Sequence, residues 1–340
     1  MKNFQKSARR DGTGECYLDA VKAPPERLDE AALATAVAAR WGFEVDSISY
    51  MAVGGGSHHW LLRTAEAGYR FLTVDDLGTK PWLGDEANST FAGLGAAFRT
   101  ARLLRDSGLD FVVAPIPATG GDLVVRVDGR FSASVFPYIS GRTGTFGEPF
   151  GTRDRHDLCA MWARLHQATP QAPHRSLGVP GRAALNEALA DAGAWTGGPY
   201  SKLARDWLAT NRDLVIAALD RHDRLAREAA THEFVITHGE PHGGNLIRTE
   251  DGLRLIDWDT VALAPRERDL WMLGGDLSAY VAATGREVDE TMLGFYRLAW
   301  LVTDVASFTA ELRQPHKDDP NTAHALRALQ ITGESLSSML

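Results

Sequence analysis

A group of chemically capable side chains lies in the stretch THGEPHGGNLI, residues 237–247. Its members are His238, Glu240, His242 and Asn245. Histidine and carboxylate side chains bind zinc, and carboxylates also act as general bases in catalysis. The stretch therefore suggests three kinds of site: a zinc centre, half of a deaminase motif, or the catalytic loop of a kinase-like enzyme.

The spacing argues against both zinc hypotheses. The two histidines lie four positions apart, as in HExxH, but the acid is centred between them, and Pro241 prevents a regular helix. The stretch 238–240 matches the first half of the deaminase motif, but the C-x-x-C of its second half is missing, since the chain has only Cys16 and Cys159. The G-x-S-x-G of serine hydrolases and the P-loop motif are missing as well.

The kinase hypothesis agrees better with the spacing. In the kinase catalytic loop H-R-D-x-x-x-x-N, the acid accepts the proton of the substrate hydroxyl and the asparagine holds a magnesium ion. Glu240 and Asn245 lie five positions apart, as that acid and asparagine do. We therefore interpret residues 237–247 as a catalytic loop in which Glu240 is the acid.

A second acid is needed near Asn245 to share the metal, and the segment NLIRTEDGLRLIDW (245–258) supplies it. Asp251-Gly252 is a strong two-residue turn signal, so the segment predicts a β-hairpin. Pairing about that turn places Leu246 opposite Asp257 and thereby brings Asp257 beside Asn245. Because oxygen ligands suit Mg²⁺, Asn245 and Asp257 are the predicted metal ligands.

The predicted helices and strands that position these residues fall into two parts of the chain. The first part predicts helices at 28–41 and 86–107 and strands at 47–53, 59–64, 69–74, 120–127 and 130–139. After residue 141 the predicted helices are 153–168, 182–194, 199–229, 266–283, 287–313 and 321–339. This is an α+β, bilobal plan with a flexible arm (1–25), an N-lobe (26–139) and a C-lobe (140–340).

The composition of the chain limits the kinds of partner that it is expected to bind. The chain has 340 residues, a formal net charge of −8 and a pI of about 5.8, which argues against nucleic-acid binding. No apolar run reaches the ~18 residues of a membrane span, and the first residues lack the apolar core of a secretory signal. We expect a cytoplasmic monomer or homodimer that binds a small molecule, without nucleic-acid or membrane partners.

The stretch VITHGEPHGGNLI, followed by GLRLIDWD, resembles the catalytic core of the aminoglycoside phosphotransferases and related small-molecule kinases. Those proteins carry H-G-D-x-x-x-x-N and a following I-D-[FW]. The resemblance implies a protein-kinase-like fold, ATP or GTP and Mg²⁺ as cofactors, and a small-molecule hydroxyl as acceptor. It implies catalytic roles for Glu240, Asn245 and Asp257, and bracing of the catalytic loop by His238 and Asp269.

The resemblance also points to the nucleotide site. The glycine-rich stretch VGGGSHHW lies between two predicted strands, where backbone N–H groups can meet phosphate oxygens, and the connector 136–139 adjoins adenine in relatives. The implied nucleotide-binding residues are Gly55, Gly56, Ser57, His58, Thr73, Phe136 and Tyr138.

Two positions depart from the family pattern. Glu240 replaces an aspartate, and misplacing a catalytic group by ~1 Å can cost on the order of 10²-fold in rate. Thr73 stands where the family's third strand carries a phosphate-neutralising lysine, which pairs with a helix glutamate, here Glu86. Lys80 lies seven positions on, at most ~25 Å along an extended chain, so it can substitute only if the chain doubles back. Other candidate cations are His58, Arg63 and Arg70.

These departures keep a second hypothesis open, a nucleotide- or ligand-binding pseudo-kinase without phosphotransfer activity. For the acceptor, the resemblance implies carboxylates between the catalytic loop and the C-terminal helices. The candidates are Asp259, Glu267, Asp304 and Glu311.

Overall fold

The computed structural model describes residues 24–25, 27–65 and 68–340. Apart from positions 24 and 25, the arm predicted for residues 1–25 lies outside the described residues. Within the described ranges, no helix is both long and apolar enough to cross a membrane.

The secondary structure divides the chain into a sheet lobe and a helical lobe. The sheet lobe contains α1 (Glu30–Trp41), β1 (Val45–Met51), β2 (His58–Thr64), β3 (Gly68–Asp76), α2 (Ala87–Asp106), β4 (Val125–Arg126) and β5 (Phe131–Pro137). The helical lobe contains β6 (Arg142–Thr143), α3 (Thr152–His166), α4 (Arg182–Ala190), α5 (Ser201–Thr210), α6 (Arg212–Ala229), β7 (Val235–Thr237), β8 (Leu246–Thr249), β9 (Gly252–Leu255), β10 (Ala262–Ala264), α7 (Glu267–Leu270), α8 (Ser278–Thr284), α9 (Glu290–Arg313) and α10 (Pro320–Met339).

The sheet of the N-terminal lobe is antiparallel, with strand order β1-β2-β3-β5-β4. One face is apolar because alternate strand residues point to the same side. This face packs on α1 and buries Leu33, Val37, Trp60, Leu62, Leu72 and Val135. The ends of α1 agree with the sequence: Asp29 accepts the N–H of Ala32 at 2.8 Å, and Gly42 ends the helix with φ 74°.

Helix α2 joins the two lobes. The helix predicted for 86–107 is confirmed, and its apolar side, with Leu94, Phe98 and Leu104, is buried. These side chains share one core with Trp162 of α3 and Trp258, which follows β9. A second core in the helical lobe joins α4, α5, α6, α9 and α10. The catalytic loop lies between β7, which pairs with β10, and β8, which pairs with β9.

Three predicted elements are wrong in extent. The helix predicted for 199–229 is two helices, α5 and α6, separated at Asn211. The helix predicted for 266–283 is interrupted between α7 and α8, where Gly274 and Gly275 adopt φ values of 57° and 64° that do not continue a helix. The strand predicted for 120–127 shortens to β4. The α+β bilobal plan itself is confirmed.

Candidate active site

Asp269 of α7 holds the catalytic loop in place through hydrogen bonds to the loop backbone. The Asp269 side chain is fully buried. Its Oδ2 accepts the backbone N–H of His238 at 2.8 Å, and its Oδ1 accepts that of Gly239 at 2.7 Å. His166 of α3 also lies 3.1 Å from Oδ2 through Nε2. Burial alone would raise the pKa of Asp269, but the hydrogen bond and charge of His166 hold it below its usual value.

The ring of His238 connects the catalytic loop to the hairpin of β8 and β9. Its Nε2 donates to the carbonyl oxygen of Ile256 at 2.8 Å, and its Nδ1 accepts the backbone N–H of Glu240 at 3.2 Å. One donating and one accepting nitrogen require the neutral ring. Burial lowers the pKa of His238, which favours the same neutral form. His238 thus fixes Glu240 relative to the hairpin.

Gly239 precedes Glu240 in a conformation that requires glycine. Its φ is 100°, in a region that residues with a Cβ rarely adopt. A Cβ at this position would overlap the guanidinium of Arg268. That guanidinium donates to Thr237 Oγ1 at 2.8 Å and to the carbonyl oxygen of Thr260 at 3.0 Å. The loop therefore turns tightly around a cation that lies close to the Glu240 carboxylate.

Asn245 presents one oxygen for a ligand. Its Nδ2 donates to the carbonyl oxygen of Glu240 at 3.0 Å and lies 3.2 Å from Nε2 of His242. Burial lowers the pKa of His242 to about 4, so its ring is neutral and can accept. Both N–H groups of the amide are thereby used, and Oδ1 has no hydrogen bond within the described ranges.

The predicted register of the hairpin is wrong by two positions. Leu246 pairs with Leu255 rather than with Asp257, because the chain reverses at residues 250–251, one position before the predicted turn. Asp257 is nevertheless adjacent to Asn245 through the hydrogen bond from Ile256 N–H to the Asn245 carbonyl oxygen, at 3.0 Å. The hairpin therefore brings Asn245 and Asp257 together, as the sequence predicts, with a different pairing.

Asp257 is the one non-glycine residue with positive φ (64°) in the described part of the chain. Solvent contacts its side chain. The surrounding protein nevertheless removes part of its hydration, and this desolvation, followed by the charges of Asp259 and Glu240, raises the pKa of Asp257 well above its usual range. Strained backbone at a functional side chain persists only where the surroundings hold it in place.

Magnesium fits the Asn245 and Asp257 pair. Mg²⁺ is commonly held by one or two carboxylates together with substrate phosphates and water, rather than by a cage of protein ligands. The described residues contain no group of three or more His, Cys, Asp or Glu side chains that could hold a metal ion. Asp257 would supply a carboxylate facing the cleft, and Asn245 its remaining Oδ1.

Glu240 is a partly buried acid with an altered affinity for protons. Desolvation, followed by the charge of Asp259, raises its pKa to about 7, against the attraction of Lys80 and of Arg268 and Arg175. An acid that titrates near neutral pH can take up a proton during catalysis and release it afterwards. The environment of Glu240 is thus suited to a general base.

Lys80 lies in the same cleft, although the sequence alone does not assign it there. A 3-10 turn (Leu77–Thr79) follows β3, and Asp76 caps it by accepting the N–H of Gly78 at 3.1 Å. The turn reverses the chain, so Lys80 Nζ lies 2.7 Å from Asp259 Oδ2 and 3.1 Å from Asp75 Oδ1. The sequence signal was the Asp-x-Gly at 76–78, which is typical of a turn.

Among the predicted nucleotide-binding residues, those of the glycine-rich stretch lie next to Lys80. Ser57 is buried and donates through Oγ to Asp75 Oδ1 at 2.6 Å. Gly55 and Gly56 precede it and are exposed. Thr73 Oγ1 lies 3.2 Å from His59 Nδ1.

His58 and the two aromatic residues of the connector lie further from this centre. His58 is buried beside Tyr50, with 3.3 Å between its Nδ1 and Tyr50 Oη. The ring of Phe136 packs on Phe98 of α2 at 5.4 Å, and Tyr138 is 37% exposed beside Tyr69. The connector backbone and the side chains of Phe136, which is half-buried, and Tyr138, which is exposed, are therefore accessible for contact with a base.

The four predicted acceptor carboxylates separate in space. Asp259 is buried against Lys80. Glu267 is also buried, and its Oε1 accepts the N–H of Asp289 at the start of α9. Asp304 on α9 faces the catalytic loop, since the charge of Glu240 contributes, after burial, to raising its pKa to about 7. Glu311 lies seven residues further along α9 and is exposed, ~10 Å from Asp304 along the helix axis.

An aromatic surface borders Asp304. The rings of Phe146 and Trp300 stack with centroids 5.6 Å apart, and Phe146 meets His242 edge-on at 5.1 Å. Trp271 lies 5.9 Å from Trp300. These four side chains, here called the aromatic wall, connect the catalytic loop to α9.

Comparison with known proteins agrees with this geometry. The sequence profile of the Phosphotransferase enzyme family matches residues 52–312, well over half of the chain. The chain belongs to this family. Protein StrN of Streptomyces griseus is 29% identical to it over 237 residues, which cover 66% of this chain and 72% of StrN.

Solved structures confirm the protein-kinase-like fold. Spectinomycin phosphotransferase, in complex with ADP and spectinomycin, has a TM-score of 0.69 at 17% identity, covering 92% of this chain and 99% of that one. Choline kinase from Streptococcus pneumoniae has a TM-score of 0.58 at 15% identity, covering 91% and 99%. Amicoumacin kinase has 0.58 at 12%, covering 92% and 94%. The family and these neighbours support a small-molecule phosphotransferase that acts on hydroxyl groups.

The raised pKa of Glu240 predicts a pH-dependent stability. A carboxyl whose folded pKa is about 7, above its ordinary 4.5, contributes stability below pH 4.5 and loses it as the pH rises through 7. Glu240→Gln removes the ionisation, so it should be more stable than the parent at pH 8, by on the order of 1–3 kcal/mol, and similar to it at pH 5. Thermal unfolding at both pH values measures this.

The matched control is Glu334→Gln, at an exposed glutamate of α10. Its effect on the unfolding temperature should be small at both pH values, because the side chain is solvated. An equal effect of Glu240→Gln at pH 5 and pH 8 would contradict the assignment of the raised pKa to Glu240.

Proposed function

We propose that this chain transfers the γ-phosphoryl group of ATP, with Mg²⁺, to a hydroxyl group of an amine-bearing small molecule such as an antibiotic or an amino-alcohol. The observation that carries the proposal is the convergence of Glu240, Asn245 and Asp257 at one cleft, opposite the glycine-rich stretch. Glu240 and Asp257 are close enough for each other's charge to affect their proton affinity. An acid beside a metal-binding pair is the minimum that kinase chemistry requires.

In the proposed reaction, the side chains of the site have separate roles. The hydroxyl oxygen of the acceptor attacks the γ-phosphorus, the bond to the β-phosphate oxygen breaks, and the hydroxyl proton passes to a carboxylate oxygen of Glu240. Magnesium, when bound, would neutralise phosphate charge between Asp257 and Asn245 Oδ1. The protein contributes mainly position, because phosphoryl transfer needs the two oxygens in line and little covalent chemistry.

The residues around Glu240 restrain its backbone and attract its carboxylate, and they thereby accommodate the methylene by which it exceeds an aspartate. The backbone N–H of Glu240 is fixed by His238, and Arg268 lies where it attracts the carboxylate. The longer side chain therefore extends from a restrained backbone toward Asp304 and the aromatic wall. We infer that the acceptor hydroxyl lies correspondingly further from the loop than it would with an aspartate.

The proposed acceptor class follows from the same space. Asp304 places a carboxylate next to an apolar surface, and a protonated amine would favour the ionised form of that carboxylate. Aromatic rings also attract cations over their faces. Relatives whose names mention spectinomycin, choline and amicoumacin support an amine-bearing acceptor. Asp259 pairs with the Lys80 ammonium and Glu267 accepts the backbone N–H of Asp289, whereas the hydrogen bond of Asp304 is to Trp300 of the aromatic wall.

The test combines nucleotide binding with product formation. ATP with Mg²⁺ should raise the unfolding temperature of the purified chain, because a ligand that binds only the folded state stabilises it. Spectinomycin, streptomycin, amicoumacin, choline and ethanolamine are then screened by ADP release, with mass spectrometry of the phosphorylated product. Glu240→Gln should keep the stabilisation by ATP and lower the turnover by roughly 10²–10⁴-fold.

The outcomes separate the hypotheses. Absence of stabilisation by ATP or GTP would contradict the proposed use of a nucleotide. Stabilisation without product from any acceptor would favour the pseudo-kinase. Product formation at an unchanged rate in Glu240→Gln would exclude Glu240 as the base while keeping the phosphotransferase.

A further inference from the structure

We propose that Lys80 is the cation that binds the nucleotide phosphates in this chain, and that Asp75 on β3 anchors it. This inference rests on the proposed use of ATP. It assigns the phosphate contact to a lysine that follows β3, and the anchoring carboxylate to the strand itself. In protein kinases the strand carries the lysine and a helix the acid, whereas here the strand would carry the acid and the turn after it the lysine.

The strand offers a carboxylate where a lysine is expected. Thr73 and Asp75 are two residues apart and point to the same face of β3. Their partners on β5 are Ser134 and Ser132, so this face is polar. Thr73 is neutral and contacts His59. Asp75 is 1% exposed and reaches Lys80, so the charged group on this face of the strand is the acid.

Lys80 is held in place by acids of both lobes. Its side chain is 2% exposed, and its Nζ meets Asp75 at 3.1 Å and Asp259 at 2.7 Å. Burial opposes its charge, but Asp259, Asp75 and Asp257 together raise the pKa of Lys80 above its ordinary value. The ammonium is therefore charged throughout the physiological range. An ammonium has three N–H donors, and these two carboxylates use two of them.

The third N–H donor of the Lys80 ammonium lies next to the glycine-rich stretch. A Cβ built on Gly56 would lie 4.0 Å from Lys80 Nζ, and Ser57 in the same stretch donates to Asp75. Nζ is thus between the backbone proposed to cover the phosphates and the carboxylates proposed to hold the metal. A phosphate placed between Gly56 and Asp257 passes within reach of this ammonium.

A buried oxygen at the same place supports the anchoring role of Asp75. Within the described ranges, Asp75 Oδ2 is buried without a hydrogen-bond partner. An acid with spare acceptor capacity can keep the ammonium when the lysine shifts away from Asp259 toward a phosphate. Orphaned buried oxygens are uncommon in folded proteins and are found where a ligand or water completes the site.

The other candidate cations do not reach this position. Arg70 lies five residues before Asp75 on β3, roughly 17 Å away along the strand, and Arg63 is exposed opposite Tyr69 at the same distant end. Arg175 is already engaged, since it donates to the carbonyl oxygens of Trp82 and Asp259. Glu86, the predicted helix partner, is an exposed residue at the start of α2.

The test compares ligands with and without phosphates. The affinities of Lys80→Met for ADP and for adenosine are measured by calorimetry, together with KM for ATP and kcat. We expect the affinity for ADP to fall about 10- to 100-fold, while the affinity for adenosine is unchanged. Lys80→Arg should keep most of the affinity. Lys202→Met, at an exposed lysine of α5 paired with Asp206, is the matched control and should bind ADP as the parent does.

Two further variants separate binding from folding. Asp75→Asn with Lys80→Met removes both charges and covers the case in which the single variant does not fold. Thr73→Lys with Lys80→Met returns a lysine to the same face of β3, two residues from Asp75, and should recover part of the ADP affinity.

Unchanged ADP affinity in a folded Lys80 variant, or an equal loss for ADP and adenosine, would overturn the assignment of Lys80. If the parent chain itself binds neither ADP nor ATP, the proposed function fails instead, and the two failures are therefore distinguishable.

Discussion

Replacing Asp257 by asparagine should lower the rate of phosphoryl transfer by on the order of 10³-fold without lowering the stability of the nucleotide-free protein. The substitution removes the carboxylate proposed to neutralise the phosphates through Mg²⁺. Asparagine tolerates the positive φ of 64° at this position better than other residues, so the backbone is preserved. It also removes the repulsion by Asp259 and Glu240 that raises the pKa of Asp257.

The measurement is kcat for the best acceptor together with the unfolding temperature. Asp251→Asn, at the exposed tip of the same hairpin, is the matched control and should leave both unchanged. A variant at Asp257 that retains more than about a tenth of the parent rate would contradict its role as a metal ligand. Loss of rate together with a large loss of stability would indicate damage to the hairpin instead.

Replacing Asp269 by asparagine should destabilise the protein by roughly 3 kcal/mol, equivalent to ~5–10 °C in unfolding temperature. The buried carboxylate accepts the backbone N–H groups of His238 and Gly239 on different oxygens and also meets His166. An amide of the same size presents an NH₂ group to one of these donors and leaves it unpaired. The catalytic loop would shift, and we expect kcat to fall by on the order of 10²-fold.

Thermal unfolding and steady-state kinetics of the same preparation test this prediction. Asp213→Asn is the control, because the side chain of Asp213 on α6 is fully exposed. If Asp269→Asn unfolds at the parent temperature, the three hydrogen bonds do not hold the loop. A stable variant with reduced kcat would instead limit the role of Asp269 to positioning.

Features set by local sequence could be predicted. The interval between Glu240 and Asn245 is a property of one loop, and the hairpin that follows has a strong turn signal. The start and stop of α1 were predictable for the same reason, because Asp29 and Gly42 act on the nearest turn. The family resemblance then placed Asp269 beneath the loop, where its contacts are observed.

Features that depend on tertiary structure could not be predicted. Lys80 and Asp259 are 179 residues apart, and no local pattern shows that a 3-10 turn will bring them together. The raised pKa of Asp304 likewise depends on the packing of α9 near the catalytic loop, since the charge of Glu240 contributes to it. The sequence named Asp304 and Glu311 on this helix as acceptor candidates, but it could not show which of them lies near the loop.

The hairpin register shows why a wrong pairing can leave a prediction intact. The observed pairing differs from the predicted one by two residues, an even number, so each side chain keeps its face of the strand. Asn245 and Asp257 consequently stay on neighbouring positions at the open end of the hairpin. An odd shift would have separated them.

The ion pair between Lys80 and Asp259 has a consequence for motion. Lys80 follows the sheet of one lobe, and Asp259 follows the hairpin of the other, so any separation of the lobes at the cleft stretches this contact. The hydrogen bond from Arg175, in the helical lobe, to the carbonyl oxygen of Trp82 crosses the same gap. Because Lys80 and Asp259 are buried, salt in the solvent screens their ion pair little. Under the proposed function, release of ADP would compete with re-formation of the ion pair between Lys80 and Asp259, and the turnover number would be sensitive to a contact that takes no part in the bond rearrangement.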